Sequence, residues 1–147
     1  RDYTNQLPDG NRLNDKMTDI EAALVQSQIQ KLPNFLELRF QAAKRYQKLL
    51  SDAQNIILPN LDHNRVWYRY AVSLDKKYVL SDFIEELEKY GVSAREPVDN
   101  WLPNDIEEYS NAQFDYQTTL SLPLYPSITE EEQVYVCKKL KEILKNE

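Results

Sequence analysis

Glycine is nearly missing from this chain. Gly10 and Gly91 are the only two in 147 residues, where average usage would supply about ten. No phosphate-cradling loop of the P-loop or dinucleotide type can be written with them. Histidine and cysteine occur once each, as His63 and Cys137. A metal site built on several His or Cys ligands is excluded, and a charge-relay arrangement would have to use His63. A single cysteine forms no intrachain disulfide, so a thiol in the cytoplasm is the simple expectation. Basic residues are in deficit, with 18 Lys and Arg against 24 Asp and Glu and a net charge of −6. That balance argues against nucleic acid, whose phosphates are bound by clustered Lys and Arg. No apolar run, Ala22 to Val25 included, exceeds four residues, whereas a membrane helix needs about 20. The first residues show no signal-peptide pattern.

What is present suffices for a core. Hydrophobic residues make up 41% of the chain, and ten tyrosines add large amphipathic packing units. Residues 1–17 show no sustained period and read as loop. The start at Arg1, without Met, leaves two expectations: residues were removed, or this is a fragment of something longer. Thr18 and Glu21 form a capping box, which predicts a helix from Asp19 to Leu32. Its apolar residues, Ile20, Leu24, Val25, Ile29 and Leu32, make a band wider than one packing stripe. Pro33 should stop or kink this helix. Asn34 and Glu37 then look like a second capping box, opening a helix from Phe35 to Leu50 with Phe35, Leu38, Ala42, Tyr46 and Leu49 on one face.

Beyond these two helices the pattern turns to strands. Val66 to Leu74 alternates, which puts Val66, Tyr68, Tyr70, Val72 and Leu74 on one face and Trp67, Arg69, Ala71 and Ser73 on the other. Ser81 to Tyr90 reads as a helix ended by Gly91, with Phe83, Ile84, Leu87 and Tyr90 inward. Val92 to Val98 is extended and broken at Pro97. Residues 99–118 read as an irregular loop with one helical turn near Ile106 to Tyr109. Thr119 to Leu122 is a short strand. Thr129 and Glu132 open a last helix that runs to about Lys145. The expected fold is α/β of the α+β kind: two long N-terminal helices, then a small, mostly antiparallel sheet with helices on one face. The expected organisation is loop over 1–17, helices over 18–54 and a small α/β domain over 55–147.

Several residues carry chemistry worth weighing. His63 beside Asp62 could serve acid–base work, but an exposed turn histidine is the commoner case. Cys137 lies beside the core stripe of the last helix and reads as packing. Glu130, Glu131 and Glu132 read as a solvated first turn rather than a metal site. Trp67, Tyr68 and Tyr70 read mainly as sheet packing, although Trp67 and Arg69 could meet a ligand or another domain. The stretch Arg95 to Trp101 mixes charge, a rigid Pro and a Trp, as recognition surfaces do. Asn14, Asp15 and Lys16 are either plain loop or polar groups aimed at an anion near a helix N-terminus.

One segment carries more. Leu13-Asn14-Asp15-Lys16-Met17-Thr18-Asp19-Ile20-Glu21-Ala22-Ala23 resembles the G-Φ-N-x-[RK]-M-T-[DE]-[IL]-[QE]-A-A pattern of the DegT/DnrJ/EryC1/StrS aminotransferases. The likeness continues in order through Gln28 to Leu32, Arg39, Tyr46 to Leu50, Tyr68 to Val72 and Tyr90 to Val98. It ends with Leu120 to Pro126 and Thr129 to Glu132, similar to the family's L-S-L-P-x-Y-P-x-x-T-x-E-E signature. Arg12 stands where the family usually has Gly. These enzymes use pyridoxal phosphate to aminate keto sugars carried on nucleotides, and the resemblance implies glutamate as the amino donor.

The resemblance also implies what this chain lacks. The family's Schiff-base Lys sits in an S-x-H-x-x-K motif, and no Lys stands three residues after His63. The chain therefore looks like the carboxyl-terminal portion of such an enzyme, catalytically inert by itself. By resemblance Asn14 would reach the cofactor phosphate of a partner subunit, which implies a homodimer. Lys16 would supply the nearby cation in place of the commoner Arg. Arg95 and Trp101 would stand on the wall of the sugar-nucleotide pocket. A reading from another class remains: a stand-alone α/β regulatory or small-ligand-binding module that dimerises through its sheet.

Overall fold

The computed structural model describes residues 5–6, 12–13, 16–97 and 109–146. Two compact units are present, Arg1–Asn34 and Phe35–Glu147.

In the first unit, β1 (Asn5–Gln6) pairs antiparallel with β2 (Arg12–Leu13). The start of α1 (Asp19–Leu49) follows. Its expected capping box is formed. The Glu21 carboxylate accepts from the Thr18 backbone N–H at 2.7 Å, and the Glu21 N–H donates to Thr18 Oγ1 at 3.3 Å. Two orphan donors of the first turn are thereby satisfied.

The two helices expected here are one. α1 continues through Pro33 to Leu49 without a break. Proline removes one backbone hydrogen bond and crowds the preceding turn. Good helix formers on both sides, Gln30, Lys31, Leu32, Leu36, Glu37 and Leu38, keep the remaining ladder. Asn34 thus lies inside the helix, and its capping role is not used.

The second unit contains the core. β3 (Ile56–Ile57), β4 (Tyr70–Leu74) and β5 (Thr119–Leu122) form one antiparallel sheet in the order β3-β4-β5. α2 (Leu80–Lys89), α3 (Ser110–Thr118) and α4 (Glu130–Asn146) complete it. Ala42, Ala43, Tyr46 and Leu50 of α1 and its exit, Phe83 and Leu87 of α2, and Val136, Leu140, Ile143 and Leu144 of α4 are buried. They join Tyr70, Val72, Leu74, Leu120 and Leu122 from one face of the sheet in a single cluster. The expected α+β architecture is therefore present, with helices gathered on one sheet face.

α2 ends as its glycine requires. Gly91 has φ +72°, its N–H bonds to the Glu88 carbonyl, and the Val92 N–H bonds to the Leu87 carbonyl. This is the paired pattern of a Schellman stop, in which a residue without Cβ adopts the left-handed conformation. Tyr90, expected inward, is exposed because it follows the last helical residue.

Three differences from the sequence pattern have local causes. The strand expected from Val66 starts only at Tyr70, and the inward phase before it is inverted. Trp67 is buried while Val66 and Tyr68 are exposed. A tight turn, with the Tyr68 N–H on the Val66 carbonyl at 2.9 Å, rotates the chain just before the strand. Second, α3 occupies much of the stretch expected to be loop. Its sequence carries no amphipathic stripe, and only Thr118 is buried, so periodicity had nothing to register. The helical turn expected near Ile106 falls mostly outside the described residues. Third, Val92 to Pro97 makes only an isolated bridge, Arg95 to Ser121, rather than a strand.

The capping boxes have a pH consequence. Glu21 and Glu132 are held below the usual carboxylate range, chiefly by the backbone N–H groups of Thr18 and Thr129. A carboxylate whose folded value is lowered stabilises above its unfolded value, about 4.3, and loses that contribution as pH falls through the folded value. Glu132→Gln should therefore lower urea stability at pH 6. The gap from the unsubstituted chain should close as the pH approaches 3. A gap that widens toward acid would reverse the assignment.

Candidate functional site

The only expected substrate residue in the second unit with a described position is Arg95. Its backbone exchanges two hydrogen bonds with Ser121, at 2.8 and 3.1 Å. That antiparallel bridge extends the sheet beyond β5. Ser121 in turn lies opposite Ala71 of β4. Directly paired residues point to the same side of a sheet. Ala71, Ser121 and Arg95 therefore form one row on the face opposite Leu120 and Leu122, away from the core.

A cleft of about 280 Å³ lies beside Ser121 and Arg95, lined also by Arg39, Tyr68, Arg69, Ser93, Leu122, Pro123 and Leu124. Arg39 projects from α1. One of its guanidinium nitrogens donates to the carbonyls of Tyr68 at 3.0 Å, Leu124 at 2.9 Å and Trp67 at 3.4 Å. It ties the entry to β4 and the exit from β5 to the helix, and so sets the width of the cleft. The Arg69 guanidinium sits over the Tyr68 ring, 5.1 Å from its centroid. The alternation of the sequence placed Arg69 outward correctly. The family resemblance touches Arg39 and Ser121, but no local pattern predicts their partners, which lie up to 85 residues away in sequence.

The other expected residues divide as follows. Lys16 is exposed in the first unit. Asn14 and Trp101 lie outside the described residues. His63 is exposed, with Nε2 at 3.9 Å from Glu37 and its ring edge on Phe40, an arrangement of surface packing. Cys137 is buried, and burial pushes its thiol up to about 12. It therefore carries no thiolate at neutral pH. Trp67 is core, so its possible ligand role falls away. Among the described residues no group of three His, Cys, Asp or Glu could hold a metal ion. No helix among them is long and apolar enough to cross a membrane.

The profile of the DegT/DnrJ/EryC1/StrS aminotransferase family matches residues 3–141. The chain belongs to this family. It is 28% identical to the spore coat polysaccharide biosynthesis protein SpsC of Bacillus subtilis, over 88% of this chain and 37% of that protein. Among solved structures it is similar to Helicobacter pylori PseC, an aminotransferase involved in the biosynthesis of pseudoaminic acid. That likeness has a TM-score of 0.77 at 19% identity and covers 92% of this chain and 39% of the other. GDP-4-keto-6-deoxymannose-3-dehydratase with a trapped PLP-glutamate geminal diamine aligns with a TM-score of 0.71 at 21% identity, over 83% of this chain and 35% of the other. The chain thus spans between about a third and two-fifths of the length of these relatives.

Do the residues of this family member fit the cofactor's covalent anchor? All eleven lysines are among the described residues, and none is buried. Lys89 and Lys139 are held more firmly protonated, chiefly by hydrogen bonds to Glu86 and Glu142. A lysine that bonds to a carbonyl cofactor must present a neutral amine, which requires a desolvated or cationic setting. Lys89 and Lys139 have the opposite setting, and none of the eleven has the buried one.

Proposed function

We propose that this chain is the carboxyl-terminal, substrate-facing part of a pyridoxal-phosphate-dependent aminotransferase acting on a nucleotide-linked keto sugar, with glutamate as amino donor. The observation that carries this is the family match over residues 3–141. The described relatives point the same way, toward polysaccharide, pseudoaminic acid and a GDP-linked keto sugar. In this reading the protein is cytoplasmic and acts as a homodimer. Asn14 hydrogen-bonds the cofactor phosphate of the partner subunit, through an amide that can donate to a phosphate oxygen. Lys16, Arg95 and Trp101 meet the substrate. The cofactor supplies the carbon–nitrogen chemistry when bound; the side chains of this part bind and orient the sugar.

The test begins with the nucleotide sequence upstream of Arg1. An in-frame domain with a Schiff-base Lys is the expected result. The longer protein should then transfer the amino group of glutamate to a nucleotide-linked keto sugar. The 147-residue chain mixed with pyridoxal phosphate and borohydride should show no pyridoxyl label concentrated on one Lys. An in-frame start just before Arg1 would favour the stand-alone ligand-binding module. Stoichiometric labelling of one Lys with turnover of an amino donor would overturn the assignment of inertness.

A further inference from the structure

A second cleft, of about 470 Å³, opens where the chain leaving α2 meets the first turns of α4. Its floor is apolar, because Val92, Ile128 and Val136 line it and are buried. Its sides carry two exposed tyrosines, Tyr125 and Tyr135, and two exposed carboxylates, Glu131 and Glu132. Glu131 and Tyr135 stand four residues apart on α4 and so share one face of the helix.

Both rings are tethered at their hydroxyls. Tyr135 donates to the Tyr90 carbonyl at 3.0 Å, and Tyr125 donates to the Glu132 carboxylate. Rings already held in place lose little freedom on meeting a ligand. Glu132 also accepts from the Thr129 N–H as the helix cap. Glu131 is left over: among the described residues its carboxylate has no hydrogen bond and no ion pair.

Three observations set the charge of an occupant. No lysine or arginine lines the cleft. The partial positive charge of the α4 N-terminus is outweighed by Glu130, Glu131 and Glu132 in its first turn. The aromatic cluster already holds an ammonium group at its outer side, where Lys139 Nζ lies 4.4 Å from the Tyr90 ring centroid and 5.9 Å from that of Tyr135. An apolar floor with an aromatic and anionic mouth complements a side chain that is apolar along its stem and cationic at its head. An anion would be repelled, and a purely apolar group would leave Glu131 without a partner. Arginine suits the cleft better than lysine, because guanidinium stacks on rings and gives a carboxylate two parallel hydrogen bonds.

The second unit does not supply that arginine itself. All five of its arginines are among the described residues, and none lines the cleft. Residues 98–108 carry four carboxylates and no Lys or Arg. We infer that this cleft docks an arginine side chain from a basic segment of another protein. The inference stands on charge and shape, and does not rest on the proposed function.

The experiment is an amide-resolved NMR titration of the 147-residue chain at low ionic strength. The probe is a tetra-arginine peptide with blocked ends, and a tetra-glutamine peptide is the control. Saturable shifts are expected at Val92, Ser93, Ile128 and Glu131 with the arginine peptide and not with the glutamine one. Glu131→Gln should weaken binding by about tenfold, as expected for loss of a charged hydrogen-bonding partner. Tyr135→Leu should weaken it by about threefold, through loss of the ring. Asp115→Asn removes an exposed carboxylate that does not line the cleft, and should leave the affinity unchanged. It separates docking from general attraction between a polycation and an acidic chain. Absence of saturation by about ten millimolar, or equal binding of the glutamine peptide, would overturn the site. So would unchanged affinity in Glu131→Gln, which is exposed and should fold normally, or equal weakening in Asp115→Asn. Shifts at the same residues on concentrating the chain alone would assign the cleft to a second copy and overturn docking of a different protein.

Discussion

Trp67→Ala is expected to destabilise the second unit by about 3–5 kcal/mol, the range for deleting a buried large aromatic. Trp67 is 1% exposed. Its ring stacks on Tyr70 at 5.9 Å between centroids, and Tyr70 stacks on Tyr46 at 4.9 Å. The indole N–H donates to the Asp62 carbonyl at 3.0 Å, so truncation also strips a polar group of its partner. Against a total stability of about 5–15 kcal/mol for a domain, the loss should lower Tm by about 10 °C or more. Tyr68→Ala, one residue on, should cost no more than about 0.5 kcal/mol, because that side chain is exposed. Urea and thermal unfolding of the two variants make the comparison. If the Ala variant does not fold, Trp67→Phe keeps most of the stack, loses the hydrogen bond, and should still be less stable than Tyr68→Ala. The opposite order would mean that the strand runs back to Val66 in phase.

Ile29→Asp is expected to abolish self-association of the chain at micromolar concentration. In the first unit, Ile20, Leu24 and Ile29 are 76%, 63% and 60% exposed. With the exposed Val25 and Leu32 they form an apolar band that covers about half of the circumference of α1, with Val25, Ile29 and Leu32 closest together. Contiguous patches beyond a few hundred Å² tend to acquire partners. A helix that presents its strip to a second copy meets the same strip in return, as a two-fold contact requires. Each isoleucine buried there contributes about 1.5–3 kcal/mol. An aspartate in its place must also be desolvated or remain apart. The dissociation constant should rise by about a hundredfold or more. Sedimentation velocity across a concentration series checks this. A monomeric unsubstituted chain, or a dimer indifferent to the aspartate, would remove the strip as the contact. The substitution is exposed, so unfolding should not confuse the result.

Much of this protein is decided by neighbours in sequence. Thr18 with Glu21 and Thr129 with Glu132 start helices where they stand, because a cap needs only residues within one turn. Gly91 ends α2, because a left-handed residue is a local demand. Thr119–Leu122 and the stripe of α4 follow from their own periods. The ordered motifs from Leu13 to Glu132 carry the family. The tertiary structure decided the rest. Pro33 interrupts nothing, since the helix around it outweighs one lost bond. Trp67 turns inward because a local turn and a stack on Tyr70 override alternation. α3 forms without any stripe that periodicity could detect. The outer sheet face is the strongest case. Arg39, Arg69, Arg95 and Ser121 lie far apart along the chain; the sequence singled out Arg69 and Arg95 as candidate contacts but did not join them to Arg39 or Ser121. Strand register and one guanidinium shared among three carbonyls bring them to one cleft. Long-range register is set by the packing of the opposite, apolar face, so a single stretch of sequence can mark a member such as Arg95 but not the residues it will meet.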